Sequence, residues 1–212
     1  MFFFIPIFSF TLLFMNLHNF LEITSVIFGT LYLLLMVREN IWCWIFGILA
    51  SSITVYLYVH VTLYLEAGLN FYYILAGFYG WIYWAQHRNK SISKSDSKTP
   101  ILTWTTTNHV IVIISCGVLS VILGYIMHTY TNSERPYIDA TLTVFSFVAT
   151  YMEAKKVLST WYYWFILNAT SIFLQVDRGL YFFAVLSIFY TIMCVYGYKR
   201  WHGTLLQQNS VE

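Results

Sequence analysis

The sequence predicts an all-α membrane protein in which seven transmembrane helices form two parallel three-helix repeats joined by a linker helix, a 3+1+3 plan. Three observations carry that prediction. Eleven basic and nine acidic residues make up 9% of the 212 residues, and 59% are hydrophobic, where a soluble domain is about 25% charged. Seven long apolar runs are bounded by charged or polar residues. A shift of 117 residues lays the second half of the chain on the first without a gap.

The elements follow in order. Met1 to Met15 is apolar and has no basic residue. As a helix it would reach only about 22 Å, too short to span. The first basic residue is Arg38, whereas a secretory signal needs positive charge ahead of its apolar run. Residues 1–21 are therefore expected to be an interfacial segment lying on the outer leaflet. The first repeat, 22–86, contains spans at Ile23 to Val37, Ile41 to His60 and Leu69 to Gln86. Residues 87–104 form a cytoplasmic linker whose Ser/Lys-rich part, His87 to Pro100, is too polar for hydrocarbon. Residues 105–130 hold linker helix 4, spanning at Val110 to His128. The second repeat, 137–201, spans at Ile138 to Met152, Trp161 to Val176 and Leu180 to Gly197, and 202–212 form a cytoplasmic tail. With the N-terminus outside, Arg135 and Arg178 face outward, while Arg38, Arg88, Lys90, Lys94, Lys98, Lys155, Lys156, Lys199 and Arg200 face inward. That is the expected positive-inside bias.

The repeat rests on rare residues. Trp44 falls on Trp161, Leu63-Tyr64 on Leu180-Tyr181, Tyr79-Gly80 on Tyr196-Gly197 and Trp84 on Trp201, and 11 of the 41 positions from 44 to 84 are identical. The shift displaces each helix by four spans, an even number, so the two halves point the same way across the membrane. Transporters built from parallel repeats hold their substrate near the midplane between them.

Several function classes are excluded or unsupported. A net charge of +2 on scattered basic residues does not fit a nucleic-acid binder. Seven spans consume about 140 positions, leaving no room for a soluble enzyme domain. No nucleotide-cradling loop, nucleophile turn or metal-ligand spacing occurs, so no cofactor is implied. Cys43, Cys116 and Cys194 sit in apolar runs and are expected to be buried thiols.

The polar residues inside spans are the candidate binding groups. Trp161, Trp164, Asn168, Ser171 and Gln175 recur at spacings of 3, 4, 3 and 4 and share one face of helix 6. The tryptophans could be belt anchors at the headgroups, or an aromatic wall for a ligand. Asn168 and Gln175 must face another helix or a wet cavity, because an unpaired amide in hydrocarbon is costly. The matching face of helix 2 is Trp44, Gly47, Ser51, Thr54 and Tyr58. Around the start of helix 3, Tyr64, Glu66, Asn70 and Tyr73 form a second candidate group, with Glu66 readable as a functional carboxylate or as a solvated helix start. Asp139 and Glu153 read as boundary charges, the latter neutralised by Lys155 and Lys156.

The run Leu63-Tyr64 to Asn70, Tyr72-Tyr73 and Tyr79-Gly80-Trp81 to Trp84 resembles the first-repeat signature of the PnuC transporters. Trp161-x-x-Trp164-x-x-x-Asn168, Gly179-Leu180-Tyr181 and Gly197-Tyr198-Lys199-Arg200-Trp201 resemble their second repeat, so the likeness runs from about Glu22 to Trp201. That resemblance implies facilitated diffusion of nicotinamide riboside across a bacterial inner membrane by a homotrimer of seven-helix protomers with a SWEET-like fold. Relatives carry thiamine or riboflavin, and a cytoplasmic vitamin kinase would trap the substrate inside. The resemblance carries substrate contacts onto Trp161, Trp164 and Asn168. Where many members have Gln in the helix-3 signature, this chain has Asn70. The implied partners are a small-molecule vitamin and membrane lipid, with no nucleic acid.

Overall fold

The computed structural model describes residues 4–60, 64–90, 99–131, 133–179 and 181–210. Among these, seven helices are present: α1 (Phe4–Val37), α2 (Cys43–His60), α3 (Tyr64–Lys90), α4 (Thr106–Tyr130), α5 (Pro136–Ala154), α6 (Thr160–Asp177) and α7 (Tyr181–Asn209). There is no strand among the described residues, only an isolated bridge between Leu102 and Val157. Leu63 and Leu180 of the repeat, residues 1–3 of the N-terminal segment, 91–98 of the linker and 211–212 of the tail lie outside the described residues.

Three of the helices are by themselves long and apolar enough to cross a membrane: Leu17–Val37 within α1, then α2 and α4. The remaining four carry more Tyr, Trp and polar side chains, for example Tyr-Tyr-Trp at 162–164 and Tyr-Gly-Trp at 79–81. Those residues lower average hydropathy while still suiting interfaces and a wet cavity. Two helices also outrun the expected boundaries. The first continues unbroken from Phe4 through residue 21. The last continues past Lys199 and Arg200 because Trp201 is fully buried and Gln208 accepts from the Ile101 amide at 3.2 Å. The linker also returns to the bundle before α4: Thr99 and Ile101 are buried, and Leu102 trades backbone bonds with Lys156 and Leu158 at 3.0 and 2.9 Å.

Six helices close a ring by contacts between α1 and α2, α2 and α3, α3 and α5, α5 and α6, α6 and α7, and α7 and α1, while α4 stands outside against α5. Gly124 permits that last contact, since a Cβ there would collide with Tyr137.

Residues 117 apart repeat their local chemistry. The α1–α2 turn bonds Asn40 N–H to the Leu35 carbonyl and Glu39 N–H to Met36, both at 2.9 Å. The α5–α6 turn bonds Val157 N–H to Met152 at 2.8 Å and Lys156 N–H to Glu153 at 3.0 Å. Both are the paired bonds of a Schellman helix end. Glu39 and Lys156 hold its left-handed position, each at φ 58°, a conformation that costs a non-glycine residue about 1 kcal/mol or more. Each half then stacks its tryptophans edge-on: Trp44 on Trp84 at 5.5 Å and Trp161 on Trp201 at 5.1 Å between ring centroids. Gly80 and Gly197 let those rings lie against the backbone, because a Cβ at either would run into the indole of Trp44 or Trp161.

The two halves meet through a pair that is itself 117 residues apart. Lys156 Nζ lies 2.6 Å from Glu39 Oε2, with both side chains at most 1% exposed. The Thr99 carbonyl accepts from the same ammonium at 2.6 Å, and Thr204 donates to Glu39 Oε1 at 2.7 Å. The rings of Trp84 and Trp201 lie 5.2 and 5.9 Å from the ammonium. Their indole N–H groups donate to the carbonyls of Ala154 and Met36.

Candidate functional site

The ring of helices encloses a cavity of about 600 Å³, lined by residues of α1, α2, α3, α5, α6 and α7. That volume lies within the range of small-molecule sites, about 300 to 1,000 Å³. The face of α6 expected from its spacing is all there: Trp161, Trp164, Asn168, Ser171 and Gln175 line the cavity. So does the whole matching face of α2, with Trp44, Gly47, Ser51, Thr54 and Tyr58. Two helical faces of opposite halves thus look at one another across the space, which is why the amides of α6 need no partner helix at every position.

Within the site, Ser187 donates to Gln175 Oε1 at 2.9 Å, and the Asn168 amide approaches Cys194 Sγ at 3.8 Å. The latter is a weak partner, so the Asn168 amide keeps most of its bonding capacity. Trp161 and Trp44 are each 1% exposed. They are therefore packed cavity walls, and the belt-anchor reading of Trp161 does not hold in this fold. Neither indole N–H has a partner among the described residues.

The helix-3 group divides. Asn70 and Tyr73 line the cavity, Asn70 turning an amide N–H back to the Glu66 carbonyl at 2.9 Å and Tyr73 bonding Ser146. Tyr64 and Glu66 are exposed and stand outside the lining. One turn separates Glu66 from Asn70, and the cavity ends between them.

Glu153 is the residue that sequence reasoning misplaced. It is 2% exposed and lines the cavity, accepting from the Trp164 indole N–H at 3.2 Å and bonding the Tyr32 hydroxyl. The expected neutralisation by Lys155 and Lys156 does not occur. Lys156 pairs with Glu39, while the Lys155 ammonium lies over the rings of Tyr83 and Tyr79 at 4.3 and 5.4 Å. The Schellman turn is the reason: it sends the chain after Glu153 away from the cavity, so neighbours in sequence point elsewhere. One signal was available in the sequence, since the 117-residue shift lays Glu153 on the apolar Met36.

Four more charged groups of the second half bind in pairs at the opposite ends of α5 and α6. Arg178 makes a two-pronged bond to Asp139 at 2.8 and 3.0 Å, and Arg135 lies 2.6 Å from Asp177. Among the described residues no group of three or more His, Cys, Asp or Glu could hold a metal ion. The buried thiols Cys43, Cys116 and Cys194 are all free.

The sequence profile of a family described as nicotinamide mononucleotide transporter matches residues 19–203. The nicotinamide riboside transporter PnuC of Escherichia coli is 19% identical over 212 residues, an alignment covering 91% of this chain and 89% of that protein. The riboflavin/roseoflavin transporter RibM of Streptomyces davaonensis is 25% identical over 184 residues, covering 85% and 83%. A crystal structure of the vitamin B3 transporter PnuC superposes with a TM-score of 0.74 at 20% identity, covering 93% of this chain and 86% of that one. That likeness establishes the fold.

Proposed function

The chain belongs to the nicotinamide mononucleotide transporter family, which includes PnuC, and from that premise we propose that it is a passive uniporter for nicotinamide riboside, with thiamine the alternative substrate. The observation that carries this is the cavity itself. Two indole-bearing faces and a line of amides converge on one space between the halves, suited to a flat cationic ring bearing hydrogen-bonding groups. Aromatic faces attract such a cation by about 0.5 to 2 kcal/mol per contact, and amide side chains discriminate among its substituents. The riboflavin relative supports vitamin transport as the class and leaves the ring chemistry to be decided by the site.

The same reading assigns the 3+1+3 arrangement, with α1–α3 and α5–α7 as parallel repeats and α4 as the linker. Its support is the repeated turn, glycine and tryptophan chemistry at residues 117 apart. It also places the N-terminus outside and the tail inside a bacterial inner membrane, with a homotrimer as the working unit and a cytoplasmic vitamin kinase pulling the flux inward.

Purified protein in liposomes should equilibrate labelled nicotinamide riboside without ATP or an ion gradient. Accumulation above equilibrium that collapses with an ionophore refutes uniport, and thiamine flux in place of nicotinamide riboside flux replaces the substrate. Within the site, Trp164→Phe should keep part of the affinity and Trp164→Leu lose most of it. Asn168→Leu should cost about 1 to 3 kcal/mol, or roughly 5- to 150-fold, if the amide pairs with substrate. Calorimetry on detergent-solubilised protein measures both, and unchanged affinity in folded Trp164→Leu and Asn168→Leu removes these residues from the binding site.

A further inference from the structure

The correspondence between the halves breaks at three positions whose larger or polar members meet. Position 36 is Met where 153 is Glu, 47 is Gly where 164 is Trp, and 32 is Tyr where 149 is Ala. In the first half the ring of Tyr32 lies over Gly47, 2.8 Å from where a Cβ would sit. In the second half the large ring comes instead from α6, as Trp164. Both rings bond the same carboxylate: Trp164 Nε1 donates to Glu153 Oε2 at 3.2 Å, and the Tyr32 hydroxyl is hydrogen-bonded to Glu153. These three asymmetric features of the cavity therefore converge on one acidic group.

That group is nearly sealed from bulk solvent yet faces the cavity, and no ion pair to it exists among the described residues. The two basic residues that follow it are engaged elsewhere, Lys156 with Glu39 and Lys155 over tyrosine rings. Burying a carboxylate without a counter-charge is costly. An occupant that brings a positive charge removes the cost and gains the field of the buried carboxylate. A neutral occupant gains neither.

We propose that Glu153 is the counter-ion that makes this cavity selective for flat aromatic cations, such as a pyridinium or thiazolium ring, over neutral rings of the same outline. This rests on the transport reading above and deepens it by assigning the charge of the substrate to one residue. Glu22, the other acidic residue lining the cavity, is exposed rather than buried, so its charge acts through a higher dielectric and discriminates less.

Two matched pairs of probes test it on the purified full chain by calorimetry, with uptake into liposomes as the second readout. They are nicotinamide riboside with its uncharged dihydro form, and thiamine with its neutral deaza analogue. The parent protein should bind the cationic member of at least one pair about tenfold or more tightly than its neutral partner, tenfold corresponding to about 1.4 kcal/mol. Glu153→Gln should abolish that preference by weakening the cation while leaving the neutral analogue within about twofold, and Glu153→Asp should retain the preference. Equal affinity for charged and neutral partners in the parent, or an unchanged preference in Glu153→Gln, overturns the assignment while leaving the transport reading in place. Failure of the parent to bind or carry any of the four overturns the transport reading and this inference with it. Equal affinities in the parent overturn the assignment even if a variant fails to fold, and a preference in the parent is tied to Glu153 by its loss in Glu153→Gln.

Discussion

Breaking the Glu39–Lys156 pair is the sharpest test of how the halves are joined. The two groups are 2.6 Å apart and almost wholly buried, so removing one partner breaks an ion pair in the interior. Lys156→Met takes the ion-pair partner from a carboxylate that also accepts from Thr204, and Glu39→Met takes it from an ammonium that also donates to the Thr99 carbonyl and lies near two indole faces. Breaking a buried ion pair by removing one partner costs about 3 to 5 kcal/mol. At roughly 2 to 4 °C per kcal/mol for a chain of this size, either single variant should melt about 6 to 20 °C below the parent. The double variant Glu39→Met with Lys156→Met removes both charges and fills the space with side chains of similar volume. It should lose less than either single change, because no ion is left to solvate and Thr204 still has the Arg200 carbonyl as acceptor. Thermal unfolding in detergent on all four proteins gives the coupling energy directly. Single variants within about 1 kcal/mol of the parent, or a double variant that costs the sum of the singles, would refute the reasoning.

Gly80→Ala and Gly197→Ala should each destabilise by about 1 to 2 kcal/mol, the strain of pressing a methyl into a fixed indole less the gain in helix propensity. Because Trp44 and Trp161 pack alike on them, the two melting shifts should agree, and a shift in only one would show that the halves are not built the same way. Arg178→Ala should cost under about 1 kcal/mol, because its bond to Asp139 is partly solvated. The parent and Arg178→Ala should then melt together in 1 M salt, and a difference that survives that salt would mean the pair is structurally sequestered.

Fold class and one wall of the cavity are legible in the amino-acid order alone, because both are written in period and composition. Charge scarcity set the membrane class, the runs located the seven helices but not the far ends of α1 and α7, and the 3.6-residue period put Trp161, Trp164, Asn168, Ser171 and Gln175 on one side of α6. The gapless shift of 117 located the equivalent face of α2. What lies opposite those faces is settled by helix packing. Whether Trp161 meets lipid headgroups or Gly197 and Trp201 depends on which helices neighbour α6, and no local pattern records that choice. Glu39 and Lys156 gave no sequence signal of pairing, since they are 117 residues apart and become neighbours only where the two halves meet. Glu153 shows the same limit most clearly. Adjacent lysines suggested a neutralised helix end, but side-chain direction at a helix terminus is set by the turn that follows. The left-handed residue after Ala154 and Lys155 carries the lysines away and leaves the carboxylate facing the cavity.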